Sequence, residues 1–235
     1  MTQANPRVFA GVPTLIAVPV TSDFPTPVVI WYHGLHADAL AGAAELERCA
    51  AAGFLAIGVD AVGHGARRDA KLAEWLSQSP DGGLSVMLSL VEQTVLELPT
   101  LLDAIEEQFP INRDRVSIVG ISMGAFLASR AVVDGPPIRA IVALLGSPEW
   151  PTSDSPHLSL ARFREVAMLS IAAEHDQAVS PDASHRLHAA LQRLPVSGSA
   201  KPEHYHLLRG ASHGLSGVEW ARAIRVTMQW LKRWG

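Results

Sequence analysis

At 235 residues, with 48% hydrophobic and 18% charged side chains, the chain is long enough for one substantial core and too apolar for a disordered protein. Its net charge of −4 and its lack of any basic run exclude an electrostatic footprint for nucleic acid. One cysteine cannot close an internal disulfide, and the first residues lack a basic segment followed by an apolar core. No apolar run approaches the ~20 residues of a bilayer span, so the expectation is a cytoplasmic single-domain protein (1–235) without a membrane partner.

In chain order, residues 8–20 predict one or two strands of an opening hairpin, with Pro13 and Pro19 suited to a sheet edge. Residues 28–32, Val-Val-Ile-Trp-Tyr, read as a strand buried on both faces, and it runs into His33-Gly34. Residues 39–52 predict a helix stopped by Gly53, with Cys49 a small buried side chain on it. The strand at 54–59 ends in Asp60-Ala61-Val62-Gly63-His64-Gly65, which is too short and wrongly placed for a dinucleotide fingerprint. Asp60 and His64 are expected to hold this loop, and His64 is also a candidate substrate contact. Residues 69–79 predict a short helix with Trp75, broken at Pro80-Asp81-Gly82-Gly83. Residues 84–109 then form a long helix, apolar at Leu88, Val91, Val95, Leu98, Leu102 and Ile105, which Pro99 is expected to kink or interrupt.

Residues 112–115 turn into the strand Val116-Ser117-Ile118-Val119, which meets Gly120-Ile121-Ser122-Met123-Gly124 and then a small-residue helix at 125–133. The backbone must turn sharply from strand to helix at Ser122, leaving its hydroxyl exposed in a strained conformation. A strand at 139–145 precedes a polar, proline-bearing insertion at 149–163, in which Trp150 is a candidate pocket wall. The strand at 166–173 ends in Glu174-His175-Asp176. A helix starting at Ser180-Pro181-Asp182 runs to 194, with proline at its favoured first position, and a loop of small residues covers 195–202. The last strand, 203–208, leads to Ser212-His213-Gly214, and a closing helix covers 217–234.

A serine hydroxyl is a weak nucleophile near neutral pH and needs an imidazole within hydrogen-bond reach, itself oriented by a carboxylate. Serine, acid and histidine occur here in that order, each just past a strand. With the strand-His-Gly loop and Ala173-x-x-Asp176-x-x-Val179-x-Pro181, the chain resembles the serine hydrolases of the α/β-hydrolase superfamily. Its likeness is to small bacterial-type carboxylesterases, akin to the dienelactone hydrolase and prolyl oligopeptidase-like branch. The resemblance implies an α/β fold with a mostly parallel sheet of about eight strands, helices on both faces and a minimal cap. Segments 67–83 and 148–163 are the candidate cap pieces.

The resemblance also assigns Ser122 as nucleophile, Asp176 as acid and His213 as base, with the backbone N–H groups of Leu35 and Met123 as oxyanion donors. Glu174 and Asp182 compete for the acid, and His175, His185, His188, His204 and His206 for the base. Ten histidines invite a metal, but no His-Glu-x-x-His occurs, and neither metal nor cofactor is expected. The expected partner is a small carboxylic ester, hydrolysed through an acyl-enzyme. Thioester, lactone or acyl-peptide bonds fit the same three residues, and a non-catalytic binding module on a hydrolase scaffold is the reading from another class.

Overall fold

The computed structural model describes residues 3–195 and 200–235, so residues 196–199 of the expected 195–202 loop lie outside the described residues. Eight strands form one sheet: β1 (Asn5–Phe9), β2 (Val12–Ala17), β3 (Thr26–Tyr32), β4 (Leu55–Val59), β5 (Ile111–Ile121), β6 (Ala140–Leu144), β7 (Ala167–Ala173) and β8 (Glu203–Leu208). Their order is β1-β2-β4-β3-β5-β6-β7-β8, antiparallel over the first three and parallel from β4 onward. The helices are α1 (Ala43–Ala51), α2 (Leu72–Gln78), α3 (Leu84–Glu106), α4 (Met123–Asp134), α5 (Leu160–Arg164), α6 (Pro181–Arg193) and α7 (Gly217–Trp234).

Period-two alternation explains why both faces are covered. In β3, Val28, Ile30 and Tyr32 enter one core while Val29 and Trp31 enter the other. The first core is completed by α3, α4, α5 and α6 through side chains such as Leu98, Leu127, Phe163 and Leu187. The second is completed by α1 and α7 through Leu46, Cys49, Ile224 and Leu231. Each large aliphatic side chain so buried contributes roughly 1.5–3 kcal/mol. The parallel strands therefore stop at one well-supported edge of the sheet, and the loops after β3, β5, β7 and β8 meet there.

Four expectations change. Pro13 lies in β2, which is paired on both sides, while the neighbouring sheet edge is β1, which carries Pro6. Pro13 is tolerated because the β2–β4 ladder starts only at Thr14↔Val59, and Pro19 lies beyond β2. Residues 112–115 fall within β5, but its pairing with β3 jumps from Thr26↔Ile111 to Val28↔Val116, so the expected turn survives as a bulge. Pro99 does not interrupt α3, which continues from Leu84 to Glu106. Pro99 is exposed while Leu98, Leu101 and Leu102 are buried, so packing on both sides of the proline holds the helix together. By length and composition α3 is also apolar enough to cross a membrane, contrary to the expectation from sequence. Its apolar face is instead taken up by the sheet and α4.

Candidate active site

The site begins with the turn between β5 and α4. Ser122 has φ 52° and ψ −115°, a left-handed conformation that costs a non-glycine residue of order 1–3 kcal/mol. Two glycines make it possible. A Cβ on Gly120 would lie 1.8 Å from the Gly124 carbonyl oxygen, and one on Gly124 would lie 2.3 Å from that of Tyr32. Strand, turn and helix can approach this closely only without those side chains, and the serine is lifted above the sheet edge.

Two further loops complete the constellation. The Ser122 hydroxyl donates to His213 Nε2 at 3.0 Å, and His213 Nδ1–H donates to Asp176 Oδ2 at 2.7 Å. The other carboxylate oxygen of Asp176 accepts the backbone N–H groups of Ala178 (2.9 Å) and Val179 (2.8 Å), which fixes the carboxylate plane. The Asp176 side chain is 1% exposed and that of His213 31%, so the base reaches solvent while its orienting partner does not. The acid and histidine loops are joined by His175 N–H to the Ala211 carbonyl at 2.8 Å. They are joined again by Gly210 N–H to Glu174 Oε2 at 2.8 Å. Glu174 is thereby committed to the loop, and Asp176 is the carboxylate that meets His213.

The loop after β3 packs against the serine. A Cβ on Gly34 would sit 3.6 Å from Ser122 Cβ. His33, 2% exposed, donates from Nδ1 to the Gly34 carbonyl at 2.8 Å and accepts Ala61 N–H at Nε2 at 3.1 Å. Burial lowers its pKa and favours this neutral tautomer. Ala37 N–H also donates to the Gly34 carbonyl, at 3.1 Å. In a trans peptide the N–H points opposite the C=O, so fixing this carbonyl fixes the direction of Leu35 N–H. Neither Leu35 N–H nor Met123 N–H has an acceptor among the described residues. Met123 also opens α4, whose N-terminus carries roughly half a positive charge.

Ser122 and His213 line a cavity of about 670 Å³ whose walls include Leu35, Leu84, Met87, Phe126, Leu145 and Val179. Of the two cap candidates, segment 67–83 contributes Asp81, Gly82 and Gly83 to this lining and segment 148–163 contributes none. Trp150 must be corrected accordingly. It is buried behind the wall, stacked on Phe126 at 6.3 Å, with the Arg130 guanidinium over its ring at 5.4 Å. Arg130 also holds Asp154 at 2.8 Å, which draws the insertion down onto α4 rather than over the cavity. His64 is corrected as well. It is absent from the lining, its ring lies 5.2 Å from that of His33, and Nδ1–H donates to the Val62 carbonyl at 2.9 Å.

Sequence reasoning missed the walls Leu84, Met87, Phe126 and Leu145. Leu84 and Met87 share the helical spacing of the core positions of α3, so no separate signal marked them. It also missed a second serine–histidine–carboxylate chain. Ser170 on β7 donates to His188 Nε2 at 3.0 Å, and His188 Nδ1–H donates to Glu203 Oε2. Among the described residues, no group of three or more His, Cys, Asp or Glu is disposed to hold a metal.

Residues 24–157 match the family model described as Serine aminopeptidase, S33. The chain is 32% identical to the esterase YjfP of Escherichia coli (strain K12) over 148 residues, 63% of this chain and 56% of that protein. It thus spans little more than half the length of that curated relative. TT1662 from Thermus thermophilus superposes with a TM-score of 0.73 at 21% identity, covering 98% of both chains. The acylaminoacyl peptidase of Pyrococcus horikoshii superposes with a TM-score of 0.73 at 16% identity, covering 99% of this chain and 42% of that one. At these identities the structural likeness establishes the fold, a mostly parallel α/β-hydrolase sheet.

Proposed function

The chain belongs to the serine aminopeptidase S33 family of α/β-hydrolase serine hydrolases, and from that premise we propose that it is a serine carboxylesterase working through an acyl-enzyme. The observation that carries the proposal is the unbroken hydrogen-bonded chain Ser122–His213–Asp176 opening onto an apolar cavity. The esterase named among its relatives supports the same reading.

In the proposed reaction, Ser122 Oγ attacks the ester carbonyl carbon while His213 Nε2 takes its proton. Asp176 holds the imidazole in the required tautomer and stabilises the imidazolium that forms. The carbonyl oxygen becomes an oxyanion held by the N–H groups of Leu35 and Met123, each such donor contributing about 3–4 kcal/mol to transition-state stabilisation. The C–O bond to the alcohol then breaks, and His213 returns the proton to the departing oxygen. Water deprotonated by His213 attacks the acyl-enzyme in the same way, releasing the acid and regenerating the serine hydroxyl.

The short insertion alone suggested small esters, but the 670 Å³ apolar cavity supports acyl groups larger than acetyl. A p-nitrophenyl ester panel from acetate to dodecanoate tests both claims. We expect a rapid release of one p-nitrophenol per enzyme molecule before the steady rate, and a kcat/KM optimum between butyrate and octanoate. Absence of hydrolysis across the whole panel would refute the esterase reading. The description of the family favours one alternative, amide hydrolysis at an amino terminus, which aminoacyl p-nitroanilides assayed in parallel would reveal by exceeding the esters in kcat/KM.

A further inference from the structure

Among the described residues, Asp81 is the one ionisable side chain besides His213 that lines the cavity around Ser122, and the lining includes no lysine, arginine or glutamate. Asp81 lies between α2 and α3, followed by Gly82 and Gly83, both at positive φ, and is solvent-exposed. Its carboxylate is held in place. Oδ1 accepts the Ser79 hydroxyl at 2.5 Å and that of Ser85 at 3.3 Å, while Oδ2 accepts Ser85 N–H at 2.9 Å. The backbone of Gly83 also lies against this carboxylate and, like the two serines, favours its ionised form.

Resting on the reading of Ser122 as the nucleophile of an esterase, we propose that Asp81 is a specificity-determining residue favouring esters that carry a positive charge, such as an ammonium or trimethylammonium group. An apolar cavity accepts the hydrocarbon of such a substrate, and the carboxylate supplies what the rest of the described lining lacks, a solvent-exposed counter-charge. The low-dielectric walls strengthen that attraction relative to bulk water, and the same charge repels anionic esters. The hydrogen bonds from Ser79 and Ser85 lower the pKa of Asp81 and keep it ionised through the neutral range. Those bonds also anchor the first turn of α3 from two residues before its N-cap, Gly83; an asparagine there can still accept Ser85 N–H at its oxygen while its NH2 donates to the Ser79 hydroxyl. Structural and electrostatic roles are therefore separable in one substitution, Asp81→Asn.

Two isosteric substrate pairs test the inference, one with the charge on the alcohol and one with it on the acid. The first compares 2-(trimethylammonio)ethyl butanoate with 3,3-dimethylbutyl butanoate. The second compares the p-nitrophenyl esters of 4-(trimethylammonio)butanoate and 5,5-dimethylhexanoate. In wild-type protein the charged member of at least one pair is expected to have about tenfold higher kcat/KM, the size of a unit-charge attraction across ~6 Å at an effective dielectric near 40. Asp81→Asn should bring that ratio to about twofold or less, read within the variant so that any change common to both esters cancels. Added salt should shrink the wild-type ratio by screening. Equal rates within both wild-type pairs, or a charged-to-neutral ratio unchanged in Asp81→Asn, would overturn the inference while neutral-ester turnover kept the esterase reading intact. No turnover of either neutral ester would overturn the esterase reading and this inference with it.

Discussion

Two regions of this protein carry the same hydrogen-bonded sequence of groups, hydroxyl to imidazole to carboxylate. Ser122–His213–Asp176 sits at the sheet edge, and Ser170–His188–Glu203 joins β7, α6 and β8. The histidine-to-hydroxyl distance is 3.0 Å in both. Everything around them differs. Ser122 occupies a left-handed turn, opens onto the 670 Å³ cavity and adjoins the Leu35 and Met123 amides, which have no acceptor among the described residues. Ser170 lies within a regular strand at 1% exposure, and His188 is 2% exposed. On the proposed reading, hydrogen-bond geometry alone does not make a serine catalytic. A reactive serine also needs a path for substrate, room for a tetrahedral carbon and donors aimed at the oxyanion. The inner set instead ties α6 to the sheet, and its bonds act on stability.

The largest expected contrast comes from the two serines. Ser122→Ala should lower kcat for p-nitrophenyl butyrate by at least ~10³-fold, and as much as ~10⁶-fold if all nucleophilic catalysis is lost. Ser170→Ala should leave kcat within about twofold and cost about 0.5–1.5 kcal/mol of stability, a Tm decrease of roughly 2–4 °C. A substantial activity loss in Ser170→Ala without a Tm change would break the distinction.

The carboxylates sharpen it. Asp176→Asn keeps the shape but no longer favours the required tautomer, so kcat should fall by about 10³–10⁴-fold with the fold intact by circular dichroism. Glu203→Gln should alter kcat by under about threefold and show its effect in the urea midpoint instead.

The smallest expected effect concerns pH. Burial lowers the pKa of His188 from its ordinary 6.5, against the opposing pull of Glu203, and burial lowers those of His33, His64 and His206 in the same direction. A histidine with a depressed folded pKa takes up its proton more readily when unfolded. Its contribution to stability is therefore complete above the unfolded value and is lost as pH falls from about 6.5 towards the lowered folded values. His188→Gln should flatten the dependence of unfolding free energy on pH between about 6.5 and 5, as measured by urea titrations at several pH values. An unchanged slope would show that His188 is not one of the groups responsible.

The reactive region was more legible in the sequence than its surroundings. Gly120-x-Ser122-x-Gly124 could be read because its backbone turn tolerates no Cβ at either glycine. His213 and Asp176 could be read because each follows directly on a strand that must end at the same edge. The walls could not. Leu84 and Met87 repeat at the spacing of buried helix positions, and sequence does not say whether such a side chain meets a strand or an empty cavity. Trp150 looked like a wall because it stands in the insertion where lids occur, but Arg130 pins it against Phe126. The inner serine–histidine–carboxylate set was invisible for a related reason. Ser170, His188 and Glu203 lie on three different elements and carry no local signature, and only packing brings them together.

The central claim is that Ser122, and not Ser170, is the activated nucleophile. Its most direct test is reaction of the native protein with a fluorophosphonate, followed by peptide mapping of the adduct. One adduct per chain is expected, on Ser122, forming at the same rate in Ser170→Ala and failing to form in Ser122→Ala. No adduct at saturating probe, or an adduct on Ser170, would contradict it.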